Sequence, residues 1–132
     1  MISRTENAPA GRILVVDDQE NLCWVLARIL TERGHVVRTA LNVAQALRVA
    51  ATFDCQVAIA DYRLPDGSGM ALLERLRSER PGLRPILMTS YGSAALHEDV
   101  RKLALHAYFD KPFVNSEMVE SVEAALLAGS TA

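Results

Sequence analysis

The sequence predicts one α/β domain built on a doubly wound, parallel, five-stranded sheet. Two observations carry this expectation. Short apolar runs alternate five times with longer amphipathic stretches, the pattern of repeated strand–helix units. The first run, Ile13 to Val16, is apolar without in–out alternation, as a strand covered by helices on both faces must be. A third observation points to function: the residues with unusual chemistry all follow or end these runs. In open α/β sheets that edge is where ligands bind.

The elements follow in order. Met1 to Gly11 is polar, contains Pro9 and has no periodicity, so it reads as a flexible leader. The domain is expected over residues 12–128. Ile13 to Val16 forms the first strand, and Glu20 to Arg33 the first helix, stopped by Gly34. Val36 to Thr39 is the second strand. Asn42, with Gln45 three residues on, caps a second helix that runs to about Ala51. Val57 to Ala60 is the third strand. Asp66-Gly67-Ser68-Gly69 is a turn in which glycine can supply positive φ, and the third helix runs from Gly69 to Glu79. Ile86 to Thr89, a fourth helix over Ala94–Leu105, and Ala107 to Phe109 follow. Asn115 caps the fifth helix, which carries Met118, Val119, Val122 and Leu126 at helical spacing. Residues 129–132 read as a stop and a tail or the start of a linker.

The bulk numbers restrict the function. The chain has 132 residues, enough for one ordinary domain. Net charge is -2 with no long run of one sign, which disfavours direct nucleic-acid binding. No apolar run approaches the length of a membrane span, and the N-terminus lacks a signal-peptide core. The two cysteines, Cys23 and Cys55, lack metal-ligand spacing and read as reduced thiols of a cytoplasmic protein. His35, His97 and His106 have no ligand partner at helical spacing and read as surface or edge residues.

Asp17 and Asp18 follow strand one, Asp61 follows strand three, Thr89 ends strand four and Lys111 follows strand five. Each alone has a bland explanation: turn chemistry for the acidic pair, a loop position for Asp61, β propensity for the threonine. Together they make a recognisable chemistry. Three converging carboxylates repel one another unless a cation neutralises them or protons are retained. An all-oxygen ligand set selects a hard cation such as Mg²⁺ or Mn²⁺. Such a cation offsets the charge of a phosphoryl group in transfer. Lys111 adds a compact positive charge suited to a phosphate oxygen. The Thr89 hydroxyl can donate to another, and a carboxylate can act as the nucleophile.

The blocks Ile-Leu-Val-Val-Asp17-Asp18, Asp61-Tyr-Arg-Leu-Pro65-Asp-Gly-Ser-Gly69, Ile-Leu-Met-Thr89-Ser90 and Tyr108-Phe-Asp-Lys111-Pro112-Phe113 resemble those of bacterial two-component response-regulator receiver domains. The resemblance covers about Gly11 to Leu127 and is nearest to receivers of nitrogen-regulator type. It implies a CheY-like, flavodoxin-like (βα)5 fold with strand order 2-1-3-4-5. It implies Asp61 as phosphoacceptor, with Asp18, Asp61 and the backbone carbonyl of Arg63 as metal ligands and Asp17 acting mainly through a metal-bound water. Thr89 and Tyr108 resemble the family's switch pair, Lys111 its phosphate-binding lysine, and Lys111-Pro112 its cis peptide. The partners implied are a histidine kinase or phosphotransfer protein, a second copy of the chain, or an output domain after residue 132. Kinase docking would use Leu22 and Val25, at one margin of the first helix, with Pro112 and Phe113. The domain would be a phosphoacceptor with only intrinsic autophosphorylation and autodephosphorylation, not an enzyme proper. Ala104, Leu105 and Ala107 depart from the family, which has a Gly-Ala pair before the fifth strand and an aspartate near Tyr108.

Three rival functions fit the sequence less well. A haloacid-dehalogenase-type phosphotransferase needs a second aspartate two residues after the nucleophile, where this chain has Arg63. A dinucleotide-binding domain needs a glycine-rich turn after strand one, where this chain has two carboxylates. A phosphorylation-independent docking module needs none of the site residues, yet all are present. Trp24 lies off the apolar stripe of the first helix, free to be exposed. Arg63 and Tyr91, each two residues past a site residue, are placed to line the mouth of the site.

Overall fold

The computed structural model describes residues 10–90 and 104–130. The sheet strands are β1 (Arg12–Val16), β2 (Val36–Ala40), β3 (Val57–Asp61), β6 (Arg84–Thr89) and β7 (Ala107–Asp110). They pair in parallel in the order β2-β1-β3-β6-β7, which is the expected order with two small elements interposed. Those elements are β4 (Arg63–Leu64) and β5 (Gly67–Ser68), a minimal antiparallel hairpin where the sequence suggested only a turn. The helices are α1 (Glu20–Glu32), α2 (Val43–Thr52), α3 (Gly69–Glu79) and α4 (Asn115–Ser130), the last being the fifth of those expected. The fourth expected helix lies outside the described residues, apart from Ala104 and Leu105.

The apolar strands are explained by a core on each face of the sheet. Leu14, Val16, Ala58, Ala60 and Leu87 meet α2 and α3 on one face. Ile13, Val15, Ile59, Ile86 and Met88 meet α1 and α4 on the other. Alternate residues of the central strands therefore bury on opposite faces, whereas the edge strand β2 leaves Val36, Arg38 and Thr39 exposed.

Four local expectations are corrected. The turn glycines Gly67 and Gly69 do not adopt positive φ; among the described glycines only Gly34 does, at φ 96, ending α1 as expected. Gly69 is required for space, since a Cβ there would lie 1.8 Å from the backbone oxygen of Asp61. Asn115 is the first residue of α4 rather than its cap: the Val114 carbonyl accepts from the N–H of Met118. Gly129 does not stop that helix, which continues to Ser130. One glycine weakens a helix by only about 1 kcal/mol unless it also takes the left-handed conformation.

Gly11, the last residue of the expected leader, is buried, and its N–H and carbonyl are both bonded to the β2 region. Ala104 sits at φ 59, the left-handed region that favours glycine, at a place where the family pattern leads one to expect one.

Candidate functional site

β1 and β3 are adjacent, so the residues that leave their carboxyl ends meet. Asp17 follows β1 directly and is fully buried; its N–H still bonds the carbonyl of Ala40 on β2. Asp61 ends β3 and is buried too, while Asp18 is exposed. One oxygen from each of the three carboxylates falls within a cluster in which no two atoms are more than 4.8 Å apart. Thr89 ends β6, and β3 registers Asp61 against Met88, one residue before it. Thr89 is fully buried, and its carbonyl accepts from the N–H of Lys111 at 2.7 Å. That bond fixes Lys111 at the top of β7, and the Lys111-Pro112 peptide is cis, as expected.

Lys111 Nζ lies 2.5 Å from Asp17 Oδ2 and 3.1 Å from Asp61 Oδ1, and it also donates to Gln19 Oε1 at 3.2 Å. Gln19 closes the loop by donating its N–H to Asp17 Oδ1 at 2.8 Å, and the Cys23 thiol donates to the Asp17 carbonyl. Burial and the neighbouring carboxylates push the thiol up to about 11, so Cys23 is an uncharged packing group.

The electrostatics show an excess of negative charge. Burial raises the Asp61 carboxyl above its ordinary value; the hydrogen bond from Lys111 works against this, and the charges of Asp17 and Asp18 add to it. Burial opposes the charge on Lys111, but hydrogen bonds to Asp17 and Asp61 outweigh it and hold the ammonium on. Among the described residues, one lysine facing three carboxylates leaves room for a further cation. Oxygen ligands at this spacing suit Mg²⁺ or Mn²⁺, so the residues present fit the metal that the motif implied.

The structure thus brings Asp17, Asp18, Asp61 and Lys111 together, with Thr89 on the strand between Asp61 and Lys111. Arg63 is exposed and opens the hairpin two residues past Asp61. Tyr108 stands on β7 opposite Leu87, half-buried, and its hydroxyl donates to Asp110 Oδ1 at 2.9 Å. Leu22, Lys111, Pro112 and Phe113 line one shallow cleft with Gln19 and Ser90. Val25 is half-buried on the adjoining margin of α1 but does not line that cleft. Tyr91 lies outside the described residues.

Three contributors escaped sequence reasoning. Gln19 carried no signal beyond following the acidic pair. Gly69 was read as a source of backbone freedom and acts instead through close approach. Asp66, read as a turn residue, accepts from the N–H groups of Val43 and Ala44 at 2.7 and 3.0 Å. The histidines also differ from expectation. His35 is buried and paired, and His106 is half-buried and bonded to the Ser121 carbonyl; His97 lies outside the described residues.

Comparison with known proteins agrees with this geometry. The sequence profile of the response regulator receiver domain matches residues 13–123. The photosynthetic apparatus regulatory protein RegA of Cereibacter sphaeroides is 34% identical over 110 residues, which cover 83% of this chain and 60% of RegA. The DNA-binding transcriptional regulator NtrC of Escherichia coli is 33% identical over 116 residues, covering 88% of this chain and 25% of NtrC. The expected kinship with nitrogen regulators is therefore found, at an identity that RegA matches. The chain spans only part of either relative. A crystal structure of a response regulator protein from Burkholderia pseudomallei, with a phosphorylated aspartic acid, calcium ion and citrate, superposes with a TM-score of 0.76 at 34% identity, covering 92% of this chain and 69% of that one. The chain belongs to the response regulator receiver domain family.

Proposed function

We propose that this receiver is a phosphorylation-dependent switch in a two-component system, and that Asp61 is its phosphoacceptor. The observation that carries the reading is Lys111 Nζ held between Asp17 and Asp61, beside Asp18, at the carboxyl end of the sheet. Asp17, Asp18 and Asp61, with the carbonyl of Arg63, would hold Mg²⁺ or Mn²⁺. The metal, when bound, neutralises carboxylate and phosphoryl charge. A carboxylate oxygen of Asp61 attacks the phosphorus of a phosphohistidine or a small acyl phosphate. The P–N or P–O bond to the donor breaks, and the electron pair leaves with the donor. Lys111 bonds a phosphoryl oxygen. The buried Thr89 hydroxyl, on the adjacent strand, donates to another.

The donor is a histidine kinase or phosphotransfer protein that docks over Leu22, Val25, Pro112 and Phe113. The domain turns over nothing but its own aspartyl phosphate, and it works in the cytoplasm. Movement of Thr89 toward the phosphoryl group frees space for Tyr108 to turn inward. That reshapes the face formed by β7, α4 and the segment before β7. Self-association or docking of an output domain reads out the change, and a bias of a few kcal/mol toward one state is enough.

The test is direct. Incubation with Mg²⁺ and acetyl phosphate adds the mass of one phosphoryl group to the chain, and Asp61→Asn removes that increment. Undiminished labelling of Asp61→Asn overturns the assignment.

A further inference from the structure

The hairpin between Asp61 and α3 is tied at its tip to a different helix. Pro65 and Asp66 form that tip. Asp66 Oδ1 accepts from the N–H of Val43 at 2.7 Å and Oδ2 from the N–H of Ala44 at 3.0 Å. These are the first two residues of α2, whose backbone donors have no partner within the helix. The next donor, the N–H of Gln45, is taken by the Asn42 side chain at 2.8 Å. Gln45 Oε1 in turn accepts from the N–H of Leu41. Asn42 and Asp66 therefore divide the capping of α2. Asn42 acts from within the local chain, and Asp66 reaches across from 22 to 23 residues away.

The hairpin is held at four further points. Leu64 is buried in the α2–α3 core. The hairpin ladder pairs Arg63 with Ser68, whose hydroxyl caps α3. Gly67 lies so close to α2 that a Cβ there would meet Val43 Cγ2 at 3.3 Å. At the base, the Gly69 N–H bonds the Tyr62 carbonyl, and the Gly69 Cα packs against the Asp61 backbone. The two backbone bonds also hold the Asp66 carboxyl below the usual carboxylate range, so it is ionised at neutral pH.

We infer that Asp66 is a positioning residue: the two hydrogen bonds that it accepts from α2 fix the hairpin that carries Arg63, and so set the affinity of the Asp61 site for Mg²⁺. The inference rests on the metal-dependent reading above. Its chemistry is a carboxylate that touches no reacting atom and acts through the backbone it anchors.

The test separates anchoring from helix stability by comparing the two caps of one helix. Asp66→Ala and Asn42→Ala both leave first-turn donors of α2 uncapped, and both lower the melting temperature. Mg²⁺ affinity is read from the rise in melting temperature with Mg²⁺ concentration, with no need for labelling. It is read again from the Mg²⁺ concentration that gives half-maximal labelling by acetyl phosphate. Asp66→Ala is expected to weaken Mg²⁺ binding about tenfold, the lower end for groups that orient metal ligands. Asn42→Ala leaves it unchanged. Asp66→Asn retains an acceptor for one of the two N–H groups and falls between wild type and Asp66→Ala; it also serves if Asp66→Ala does not fold. An unchanged Mg²⁺ affinity in both Asp66 variants overturns the inference, as does an equal loss in Asn42→Ala. If wild type binds Mg²⁺ but takes no label at Asp61, the phosphoacceptor reading fails while the positioning result stands on the melting data alone.

Discussion

At one end of the sheet a lysine faces three carboxylates; at the other a carboxylate faces an arginine and a histidine. The second cluster joins α4 to the start of β2. Arg33 donates to both oxygens of Glu123, through Nε at 2.9 Å and Nη2 at 2.5 Å. His35 Nε2 lies 3.0 Å from Glu123 Oε2, while Nδ1 accepts from the N–H of Gly11 at 3.0 Å. With Nδ1 accepting from Gly11, Nε2 is the ring nitrogen that faces Glu123 as donor. Hydrogen bonding to Arg33 holds the Glu123 carboxyl below its ordinary value. At the far end, burial and like charge hold Asp61 above its own. Both sites bury carboxylates beside cations. The difference is one of completion: every acceptor at Glu123 has its donor, whereas the Asp61 site holds more negative charge than its lysine offsets. A satisfied cluster locks elements together, and an unbalanced one is poised to take a cation.

Removing the clamp should give the largest effect. Glu123→Ala leaves a buried imidazole and a guanidinium without their acceptor, and is expected to cost about 2–3 kcal/mol in urea unfolding. This is less than for a fully buried pair, because the Arg33 side chain is 28% exposed. Phosphoryl labelling at Asp61, measured well below the melting temperature, should persist. A loss of under half a kcal/mol would mean that the cluster is decoration. The sign of the pH dependence follows from the lowered carboxyl. Its contribution is complete above the ordinary value of 4.5 and is lost as pH falls through the lower, folded value. The stability gap between wild type and Glu123→Gln should therefore close in acid.

The opposite sign is expected at the other end. In metal-free protein, ionised Asp61 is held against its neighbours' charge. Asp61→Asn in the presence of a chelator should therefore raise stability by about 1 kcal/mol, after the attraction of Lys111 is set against burial and repulsion. Mg²⁺ should stabilise wild type and not the variant, which narrows or reverses the gap. Destabilisation by Asp61→Asn under both conditions would place the two clusters in the same class.

The smallest expected effect is on the Tyr108–Asp110 bond. Burial first, and the hydrogen bond to Asp110 second, push the Tyr108 phenol up to about 12. Asp110→Ala should bring its spectrophotometric titration part-way back toward 10 while changing stability by no more than about 0.5 kcal/mol, as for most surface substitutions. An unmoved titration would mean that the phenol is governed by burial alone.

The contrast between the clusters also explains what was readable in the sequence. The strands and the Asp61 site were legible because burial on both sheet faces forces apolar runs, and because Asp17, Asp18, Asp61, Thr89 and Lys111 each follow or end one. Parallel topology then converts positions along the chain into one edge. The clamp was not legible. His35 finds its partners 24 and 88 residues away, so nothing local separates it from a surface histidine. The β4–β5 hairpin, two residues per strand, is too short to show a period. Gly69 illustrates a general ambiguity: the same residue type serves freedom of φ or the absence of a Cβ, and only the neighbouring backbone of Asp61 decides which.

The lone tryptophan gives the molecule a built-in optical reporter with a defined field of view. Trp24 is 62% exposed on α1, and the Arg28 guanidinium lies 5.4 Å from its ring centroid. The clefts that it borders are lined by α1 and the β2–α2 side of the sheet, without Asp17, Asp18, Asp61 or Lys111. A ring this exposed is expected to emit as a solvated indole. A change confined to the Asp61 site is expected to leave that emission nearly unchanged, whereas burial of the outer face of α1 is expected to shift it to the blue. Fluorescence therefore tests for cover over the outer face of α1 and mass tests for chemistry at Asp61, separately and in one unlabelled sample.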